Sequence, residues 1–430
     1  MKLSSKQPGF HKLSAKERIE ILKKFSILHD EDITLLLSDF SSLDELELYA
    51  DRWGENVIGK FSYFPLRIAP NFLIDDKDYF VPMAIEEPSV VAAASYAANL
   101  ARESGGFETE YSGSIMYGQI QLINVEDPEK VIIKISSVKD TLLAMANKQD
   151  QKLVSVGGGA RDIEFRPTIK TQRGWMVIIH LVIDVKDIMG ANAVNTMTES
   201  ISSEIEEITG YQTNLRIVSN LADKRIAKAK ARFPIAKLSK EGFSGEEVAN
   251  RILSAYEFAS NDVYRATTHN KGIMNGIDAV LLATGQDFRA VEAGAHSYAT
   301  RRGRYTSLTV CRKEGDYLVV EIELPMAVGV VGGIKDPKPD LAKKILGVKT
   351  ADTFARVLAS VGLAQNFGAV RALATEGIQK GHMRLHAKQI VKQIDAGKYE
   401  NQVLSELLKG PISFDRATKI LEGLKKPHSS

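Results

Sequence analysis

The feature that most constrains the fold is a change of residue composition and periodicity in the middle of the chain. Residues 111–221 carry β-branched runs separated by stretches of helical character, whereas residues 1–110 and 222–375 are richer in alanine and in helical periodicity. The three clearest β-branched runs are Ser114 to Val125, Val131 to Ile135 and Trp175 to Val185. This pattern predicts an α+β protein, in which a helical large domain is interrupted by a smaller domain with an antiparallel sheet.

Start and stop signals locate several elements outside the insert. Ser14 to Glu17 is a capping-box pattern ahead of an amphipathic helix. A proline in the first turn and glycines past the end bracket an alanine-rich helix over Ser89 to Arg102, whose alanines imply close packing against another helix or another subunit. A β segment is expected near Tyr305 to Leu324, and residues 376–430 are expected to form a C-terminal helical cap.

Charge and cysteine content exclude several classes of protein. The 56 lysines and arginines nearly balance the 54 aspartates and glutamates, so the surface as a whole does not suit nucleic-acid binding. We interpret the basic run Lys224 to Arg232 as the solvated face of a helix. The single cysteine, Cys311, can form neither an intrachain disulfide nor a thiolate metal site. Without an apolar leader or a membrane-spanning run, the chain is expected to be soluble and cytoplasmic.

Glu87 is the first candidate for acid–base chemistry. It precedes Pro88, which favours an extended backbone at the start of a helix, where unpaired N–H groups attract an anion. Glu87 can therefore be a simple helix cap. It also follows Glu86, and two neighbouring carboxylates beside an apolar run can raise the pKa of one of them and make it a proton donor.

The densest polar cluster is the segment Arg265 to Gly276. Arg265 offers a bidentate fork for a carboxylate, Lys271 a point charge for a developing oxyanion, and Asn275 a neutral donor. Two glycines in the segment would let the backbone approach a ligand closely. We interpret the segment as functional, with a structural loop as the alternative.

Asp287 and His382 each have a functional and a structural interpretation. Asp287 follows an apolar run, so it can be buried against Lys271, or it can cap a helix. His382 can be a general acid near neutral pH or a surface residue. His382 and His386 have the spacing of metal ligands, but no third ligand is positioned, so no metal site is expected.

Two glycine-rich segments are candidates for phosphate binding. Gly157 to Asp162 is weak evidence alone, because consecutive glycines more often form a flexible turn. Asp187 to Thr196 follows a predicted strand and precedes a helix, so its amide groups could meet a pyrophosphate at the helix N-terminus. Neither segment matches the G-x-G-x-x-G fingerprint, and a doubly wound Rossmann fold is therefore not supported.

Six motifs, taken in order, resemble those of hydroxymethylglutaryl-coenzyme A (HMG-CoA) reductase, in the class II form of bacteria and archaea. The motifs are Glu86 to Ala93, Gly157 to Asp162, Asp187 to Thr196, Thr268 to Gly276, Thr284 to Asp287 and Gly381 to Met383. The resemblance covers nearly the whole chain and includes no membrane anchor. It implies a large domain for substrate and dimerisation (1–110 and 222–375), an inserted ferredoxin-like NAD(P)-binding domain (111–221) and a C-terminal flap (376–430).

The resemblance also implies a reaction and the residues that perform it. HMG-CoA would be reduced to mevalonate and CoA in two steps and four electrons, or mevalonate would be oxidised in reverse. Lys271 would stabilise the substrate oxyanion, Glu87 would supply protons to that oxygen, and Asp287 would keep the lysine charged. His382 would protonate the departing thiolate of CoA. Contacts to the substrate carboxylate and hydroxyl groups would come from Ser89, Arg265, Asn275 and Gln365.

The nicotinamide cofactor would bind to the insert. Residues that would line it are Asp187, Met189, Gly190 and Asn192. The family's Asp-Ala-Met-Gly motif has Ile188 here in place of alanine. Asp150 aligns with the acidic residue that binds the adenosine ribose in NADH-preferring relatives, whereas Lys148 and Lys152 beside it could attract a 2′-phosphate. We therefore expect NADH to be preferred and NADPH to be usable.

The resemblance further implies a homodimer or higher homo-oligomer with the active site between subunits, and a role in the mevalonate pathway of isoprenoid biosynthesis. The competing interpretation is a non-catalytic protein that binds an acyl-CoA or a nucleotide. Such a protein would need the phosphate-binding segments but would not need the four catalytic candidates together.

Overall fold

The computed structural model describes residues 9–53, 56–60, 64–240, 242–331, 337–375, 377, 387–388 and 390–425. These residues divide into two compact units, with the boundary between Phe64 and Pro65. Each unit has its own apolar core, so each is described separately.

The first unit consists of three short helices, α1 (Ala15–Lys24), α2 (Asp30–Leu37) and α3 (Leu43–Trp53). The predicted capping box is confirmed at the start of α1. The Glu17 N–H donates to the Ser14 hydroxyl at 3.2 Å, and the Ser14 N–H donates to the Glu17 carboxylate at 2.8 Å. The buried side chains of this unit are Ala15, Ile19, Leu46 and Ala50.

The second unit opens with a β-hairpin, a helix and a third strand. These elements are β1 (Leu66–Ile74), β2 (Lys77–Ala84), α4 (Pro88–Arg102) and β3 (Phe107–Tyr111). The predicted helix over 89–102 is confirmed, with Pro88 in its first turn. Strands β1 and β2 pair antiparallel, whereas β3 lies parallel to β1.

The insert follows β3 and has a sheet of its own. Its elements are β4 (Ile115–Val125), α5 (Pro128–Ser137), α6 (Lys139–Asn147), α7 (Gln151–Ser155), β5 (Gly159–Phe165), β6 (Ile169–Thr171), β7 (Gly174–Asp184), α8 (Ala191–Ser200), α9 (Ser202–Thr209) and β8 (Thr213–Val218). The strands run in the order β5-β7-β4-β8, with β6 also on β7, and every pairing is antiparallel. The predicted antiparallel sheet is confirmed, and this sheet is not of the Rossmann type.

The assignment of Val131 to Ile135 as a β run is wrong, because these residues lie in α5. The Asp127 side chain accepts the Lys130 N–H at 3.1 Å and caps that helix, and Pro128 occupies its first turn. Val131 and Ile135, one helical turn apart, are both buried. Tertiary packing thus overrides the weak strand preference of β-branched residues.

The chain then returns to the large domain. The remaining elements there are β9 (Ile226–Pro234), α10 (Gly245–Asn261), α11 (Val263–Ala283), α12 (Phe288–Tyr298), β10 (Thr309–Glu314), β11 (Tyr317–Pro325), α13 (Pro337–Leu346) and α14 (Ala351–Ala374). They complete a six-stranded sheet in the order β10-β11-β9-β3-β1-β2. The expected β segment near residues 305–324 is the β10–β11 hairpin.

The interpretation of Lys224 to Arg232 as a helix face is wrong. Strand β9 occupies most of this run and pairs with β3 on one side and β11 on the other. Its alanines at 227, 229 and 231 are buried, while lysines alternate with them. A period of two residues is the period of a strand, so the charges form one face of the sheet.

Helix α14 is the centre of the core of the second unit. It packs against α4, α11 and strand β9, and the buried alanines of α4 meet it as the sequence predicted. Among the described residues, α14 is also the helix that is long and apolar enough to cross a membrane. Since 78% of its most apolar 18-residue stretch is buried inside the protein, α14 has the character of a core helix.

The described part of the C-terminal segment is helical, as predicted. It contains α15 (Glu400–Leu407) and α16 (Phe414–Lys425). Its buried residues form a separate apolar cluster of Ala387, Ile390, Val391, Ala396, Val403, Leu407, Ala417 and Leu421.

Candidate active site

A cavity of about 650 Å³ lies where α4, α11 and α14 meet, and we call it the central cavity. Six of the residues predicted to form the active site line it: Glu87, Ser89, Arg265, Lys271, Asn275 and Gln365. These residues come from three separate parts of the sequence. The fold therefore places together the carboxylate, cation and amide candidates that the sequence analysis had selected separately.

Helix α11 supplies the polar wall of the central cavity. Its first turn is capped by Asp262, whose carboxylate accepts the Arg265 N–H at 2.7 Å. The cluster from Arg265 to Gly276 is thus the first half of a long helix, and the alternative of a structural loop is wrong. Thr268, Lys271 and Asn275 recur at helical spacing, which explains why they face one cavity.

Gly276 allows the close contact between α11 and α14. A Cβ atom at this position would lie 2.8 Å from Cβ of Gln365, which is closer than packed side chains approach. Gln365 is 4% exposed, and its Oε1 atom has no hydrogen-bond partner among the described residues. A buried acceptor in a cavity wall is costly unless a ligand donor satisfies it, so Gln365 has the environment of a ligand contact.

Glu87 is both a helix cap and a cavity residue. Its carboxylate accepts the Ser89 N–H at 3.0 Å at the N-terminus of α4. The same carboxylate group lines the central cavity together with Ser89. The two interpretations of Glu87 from its sequence are therefore compatible.

Cationic groups dominate the charge on the α11 side of the cavity. Lys271 is exposed, and Arg265 is half-buried, with burial lowering the pKa of its guanidinium. His269, between them, is buried, and burial followed by the charge of Arg265 lowers its pKa to about 3. Its Nε2 atom lies 2.6 Å from the Thr309 hydroxyl. His269 is therefore a neutral packing residue, and the charge available to an anionic ligand comes from Lys271 and Arg265.

Asp287 lies outside the lining of the central cavity. It is the N-cap of α12, where its carboxylate accepts the Ala290 N–H at 3.2 Å, and its side chain is 41% exposed. Its ion-pair partner is Arg289, at 3.3 Å. The helix-cap interpretation is confirmed, and burial of Asp287 against Lys271 is not found within one chain.

Asp278 is a candidate functional residue that was not predicted from the sequence. It follows Lys271 by two helical turns on α11, and its carboxyl group is hydrogen-bonded to that of Glu292 from α12. Burial, and then the neighbouring Glu292, raise the pKa of Asp278 to about 8, while Lys271 lowers it. The available sequence signal was a lone carboxylate inside the apolar run from Ile277 to Leu282.

The predicted cofactor residues lie on the loop between β7 and α8, which we call the 187–190 loop. The Asp187 carboxylate accepts the Ala351 N–H at 2.8 Å, at the N-terminus of α14, and its main-chain oxygen accepts the Val330 N–H at 2.9 Å. Gly190 is the N-cap of α8 and provides no side-chain cap. The first-turn N–H groups of α8, including that of Asn192, are therefore not capped by a side chain and suit a phosphate group.

Asp150 does not line the central cavity. Asp150 is the N-cap of α7, where its carboxylate accepts the Leu153 N–H at 2.9 Å. His382 lies outside the described residues, as do the rest of its motif and the neighbouring His386. Within the described ranges, no group of three or more His, Cys, Asp and Glu side chains could hold a metal ion.

Comparison with known proteins decides the family. The sequence model of hydroxymethylglutaryl-coenzyme A reductase matches residues 14–387. The 3-hydroxy-3-methylglutaryl-coenzyme A reductase of Archaeoglobus fulgidus is 52% identical over 429 residues, which are 98% of this chain and 95% of that protein. The chain belongs to the HMG-CoA reductase family.

Solved structures of HMG-CoA reductases have the same fold. The enzyme from Streptococcus pneumoniae superimposes with a TM-score of 0.74 at 39% identity, over 97% of this chain and 99% of that one. A class II HMG-CoA reductase from the same organism, bound to NADPH in open conformations, gives a TM-score of 0.73 at 40% identity, over 86% of this chain and 99% of that one. The resemblance inferred from six motifs, and the α+β fold that it implied, are thereby confirmed.

Proposed function

We propose that this protein is an HMG-CoA reductase that reduces HMG-CoA to mevalonate and CoA with NAD(P)H. The observation that carries the proposal is the central cavity, which combines Glu87, Lys271 and Arg265 in a member of this reductase family. We further propose that residues 1–110 and 222–375 form the large domain, which binds the substrate, and that residues 111–221 bind the cofactor. The 376–430 segment would then close over bound substrate, as the flap of this family.

The polar wall suits the negative charge that develops on the substrate. Arg265, with its fixed fork of donors, binds the terminal carboxylate of the hydroxymethylglutaryl group. Lys271, as an exposed cation, stabilises the oxyanion that forms at the thioester carbonyl and again at the aldehyde carbonyl. Asn275, Ser89 and the buried Gln365 amide satisfy the substrate hydroxyl and carboxylate groups.

Proton transfers complete the two reductions. The cofactor supplies one hydride to the carbonyl carbon in each step. In the first step the carbon–sulfur bond then breaks, and His382 protonates the CoA thiolate, which stops it from adding back to the aldehyde. In the second step Glu87 delivers a proton to the aldehyde oxygen, which becomes the new hydroxyl group of mevalonate.

The residues of the 187–190 loop fit a nicotinamide dinucleotide. Gly190 leaves the N-terminus of α8 without a side-chain cap, which suits a pyrophosphate, and Met189 and Asn192 flank it. Asp150 would accept the adenosine ribose hydroxyl groups and repel a 2′-phosphate. We therefore propose that NADH is preferred and that NADPH is usable.

A homodimer would complete the active site. Twelve residues of α11 separate Lys271 from Ala283, about 18 Å along the helix axis, and Asp287 lies beyond that far end. We propose that the Asp287 carboxylate reaches Lys271 of a second subunit, where it keeps the lysine protonated. Both subunits would belong to a cytoplasmic enzyme.

The activity is tested by cofactor oxidation. Purified protein is mixed with NADH or NADPH, with and without HMG-CoA, and absorbance loss and mevalonate formation are both measured. Oxidation should require HMG-CoA and should consume two cofactor molecules per mevalonate. Absence of turnover with either cofactor would contradict the proposed function.

The shared site is tested by complementation between two inactive variants. Lys271→Ala and Asp287→Ala subunits are co-expressed with different tags and allowed to form mixed dimers. If each site uses Lys271 of one subunit and Asp287 of the other, one of the two sites of every mixed dimer is intact. Random pairing makes about half of the dimers mixed, so about a quarter of the wild-type rate returns to the whole mixture. If both residues act within one chain, every site carries a substitution and the mixture stays inactive.

A further inference from the structure

Arg225 is a fully buried arginine at the junction between the insert and the large domain. It lies directly before β9 and is 0% exposed. Its Nε atom donates to the Tyr111 hydroxyl at 2.9 Å, at the end of β3. The chain thus leaves the large domain at Tyr111 and re-enters it at Arg225, and this hydrogen bond is one of those that join the two crossing points.

The guanidinium group binds both domains at once. One terminal nitrogen, Nη1, donates to the main-chain oxygen of Met189 at 2.9 Å and to that of Ile188 at 3.4 Å. The other, Nη2, donates to the main-chain oxygen of Val328 in the large domain at 2.7 Å. A single rigid fork therefore fixes the position of the 187–190 loop relative to residue 328.

The energetics of this arrangement indicate a specific role. All hydrogen-bond acceptors of Arg225 are neutral oxygen atoms, so no carboxylate pairs directly with its buried charge. A lysine would keep the charge but could not bond in three directions within one plane. Burial of the Arg225 charge costs free energy, and its hydrogen bonds form in only one geometry. Arg225 therefore fixes the position of the 187–190 loop more than it stabilises the fold.

Residues 328–330 also hold the loop, by close packing. A Cβ atom at Gly329 would overlap the main chain of Ile188 and Met189, with the Ile188 carbonyl carbon only 2.7 Å away. The Asp187 main-chain oxygen also accepts the Val330 N–H at 2.9 Å. Residues 328–330 and Arg225 therefore both fix the position of the loop.

We propose that Arg225 is a positioning residue for the cofactor, which holds the 187–190 loop in the arrangement that binds NAD(P)H. This inference rests on the proposed function, in which the same loop binds NAD(P)H. It predicts that loss of the fork weakens cofactor binding and leaves binding of the acyl substrate unchanged, because Arg225 does not line the central cavity.

The experiment compares three variants of the full chain. Arg225→Lys keeps the charge and removes the fork, and Gly329→Ala displaces the same loop because its Cβ atom would overlap the main chain of Ile188 and Met189. Arg232→Lys, which replaces an exposed arginine of β9, is the matched control. For each variant, KM for NADH, KM for HMG-CoA and kcat are measured, with the dissociation constant of NADH from its fluorescence and the thermal midpoint as a check on folding.

Arg225→Lys and Gly329→Ala should each raise the KM and the dissociation constant of NADH by about tenfold or more, with less than a twofold change in the KM for HMG-CoA. Arg232→Lys should match the wild type. Unchanged NADH binding in both loop variants, in the presence of wild-type activity, would overturn the inference while leaving the proposed function intact. A lower thermal midpoint with unchanged constants would show a merely structural role. An inactive wild type would instead refute the proposed function.

Discussion

Substitution of Asp278 by asparagine tests the electrostatics of α11 directly. The carboxyl group of Asp278 has one buried oxygen without a hydrogen-bond partner among the described residues and is hydrogen-bonded to Glu292. Burial and Glu292 raise its pKa from an ordinary 3.8 to about 8, against the opposing charge of Lys271. Asparagine has the shape of the protonated acid and cannot titrate, so it preserves the packing and removes the pH dependence.

The sign of the effect follows from proton binding. Between about pH 4 and pH 8 the folded protein retains a proton on Asp278 that the unfolded chain has released. Stability therefore falls as pH rises through this window, by at most about 1.4 kcal/mol per pH unit for one full proton, and stops falling above it. We expect a loss on the order of 1 kcal/mol per pH unit.

The assay is urea unfolding of wild type and Asp278→Asn at several pH values and one protein concentration, because the stability of the proposed homodimer would depend on concentration. The difference in unfolding free energy between the two proteins should change by on the order of 2 kcal/mol from about pH 5.5 to about pH 7.5. Asp316→Asn, at an exposed turn, serves as the control and should parallel the wild type. Parallel curves for wild type and Asp278→Asn would refute the assignment of a raised pKa.

Three further predictions concern the proposed chemistry. Lys271→Ala should reduce kcat about 100-fold or more with an unchanged far-ultraviolet spectrum, the scale of a lost oxyanion stabiliser, and a near-normal kcat would reduce the lysine to a surface charge. His382→Gln should slow reduction of HMG-CoA far more than reduction of added mevaldehyde, which releases no thiolate; equal losses in the two assays would exclude that role. Asp150→Ala should weaken NADH binding and improve the relative rate with NADPH, and a wild type that prefers NADPH by about tenfold, or 1.4 kcal/mol, would reverse the ranking.

Local signals in the sequence predicted those elements whose boundaries are set by nearby residues. The capping box at Ser14 and the helix that begins at Pro88 need only neighbours within one turn, and both were found. Strands β4 and β7 were also predicted, because long β-branched runs with few helix-forming residues are typical of buried strands. In each case the local preference and the tertiary environment agree.

The two incorrect secondary-structure predictions concern segments whose sequence pattern fits both a helix and a strand. The alternation of alanine and basic residues in β9 resembles a helix in composition and a strand in spacing, and only the pairing with β3 and β11 decides between them. The β-branched residues of α5 lie one helical turn apart but also form a short continuous run. Composition alone was insufficient at both places.

The site residues also fall into those with a local sequence signal and those whose environment depends on distant residues. Residues on α11 were selected because their chemistry is visible within twelve positions of sequence, and the structure brings them to one cavity. Asp278 was missed because its environment depends on Glu292, which belongs to another helix. Arg225 gave no signal at all, since an arginine among basic residues resembles a surface charge until the oxygens around it are known.

Helix α14 carries two distant contacts, one at each end of a continuous stretch of helix. The distance between them depends only on the number of helical residues that separate them. Its first N–H, at Ala351, binds the Asp187 carboxylate, and Gln365, fourteen residues later, lines the central cavity. Insertion of one residue between them would rotate Gln365 by about 100° and shift it by about 1.5 Å, which would turn its amide away from the cavity. Homologues should therefore tolerate insertions and deletions in the exposed turns but none between positions 351 and 365, and an alignment that contained such gaps would show that the two contacts are not needed together.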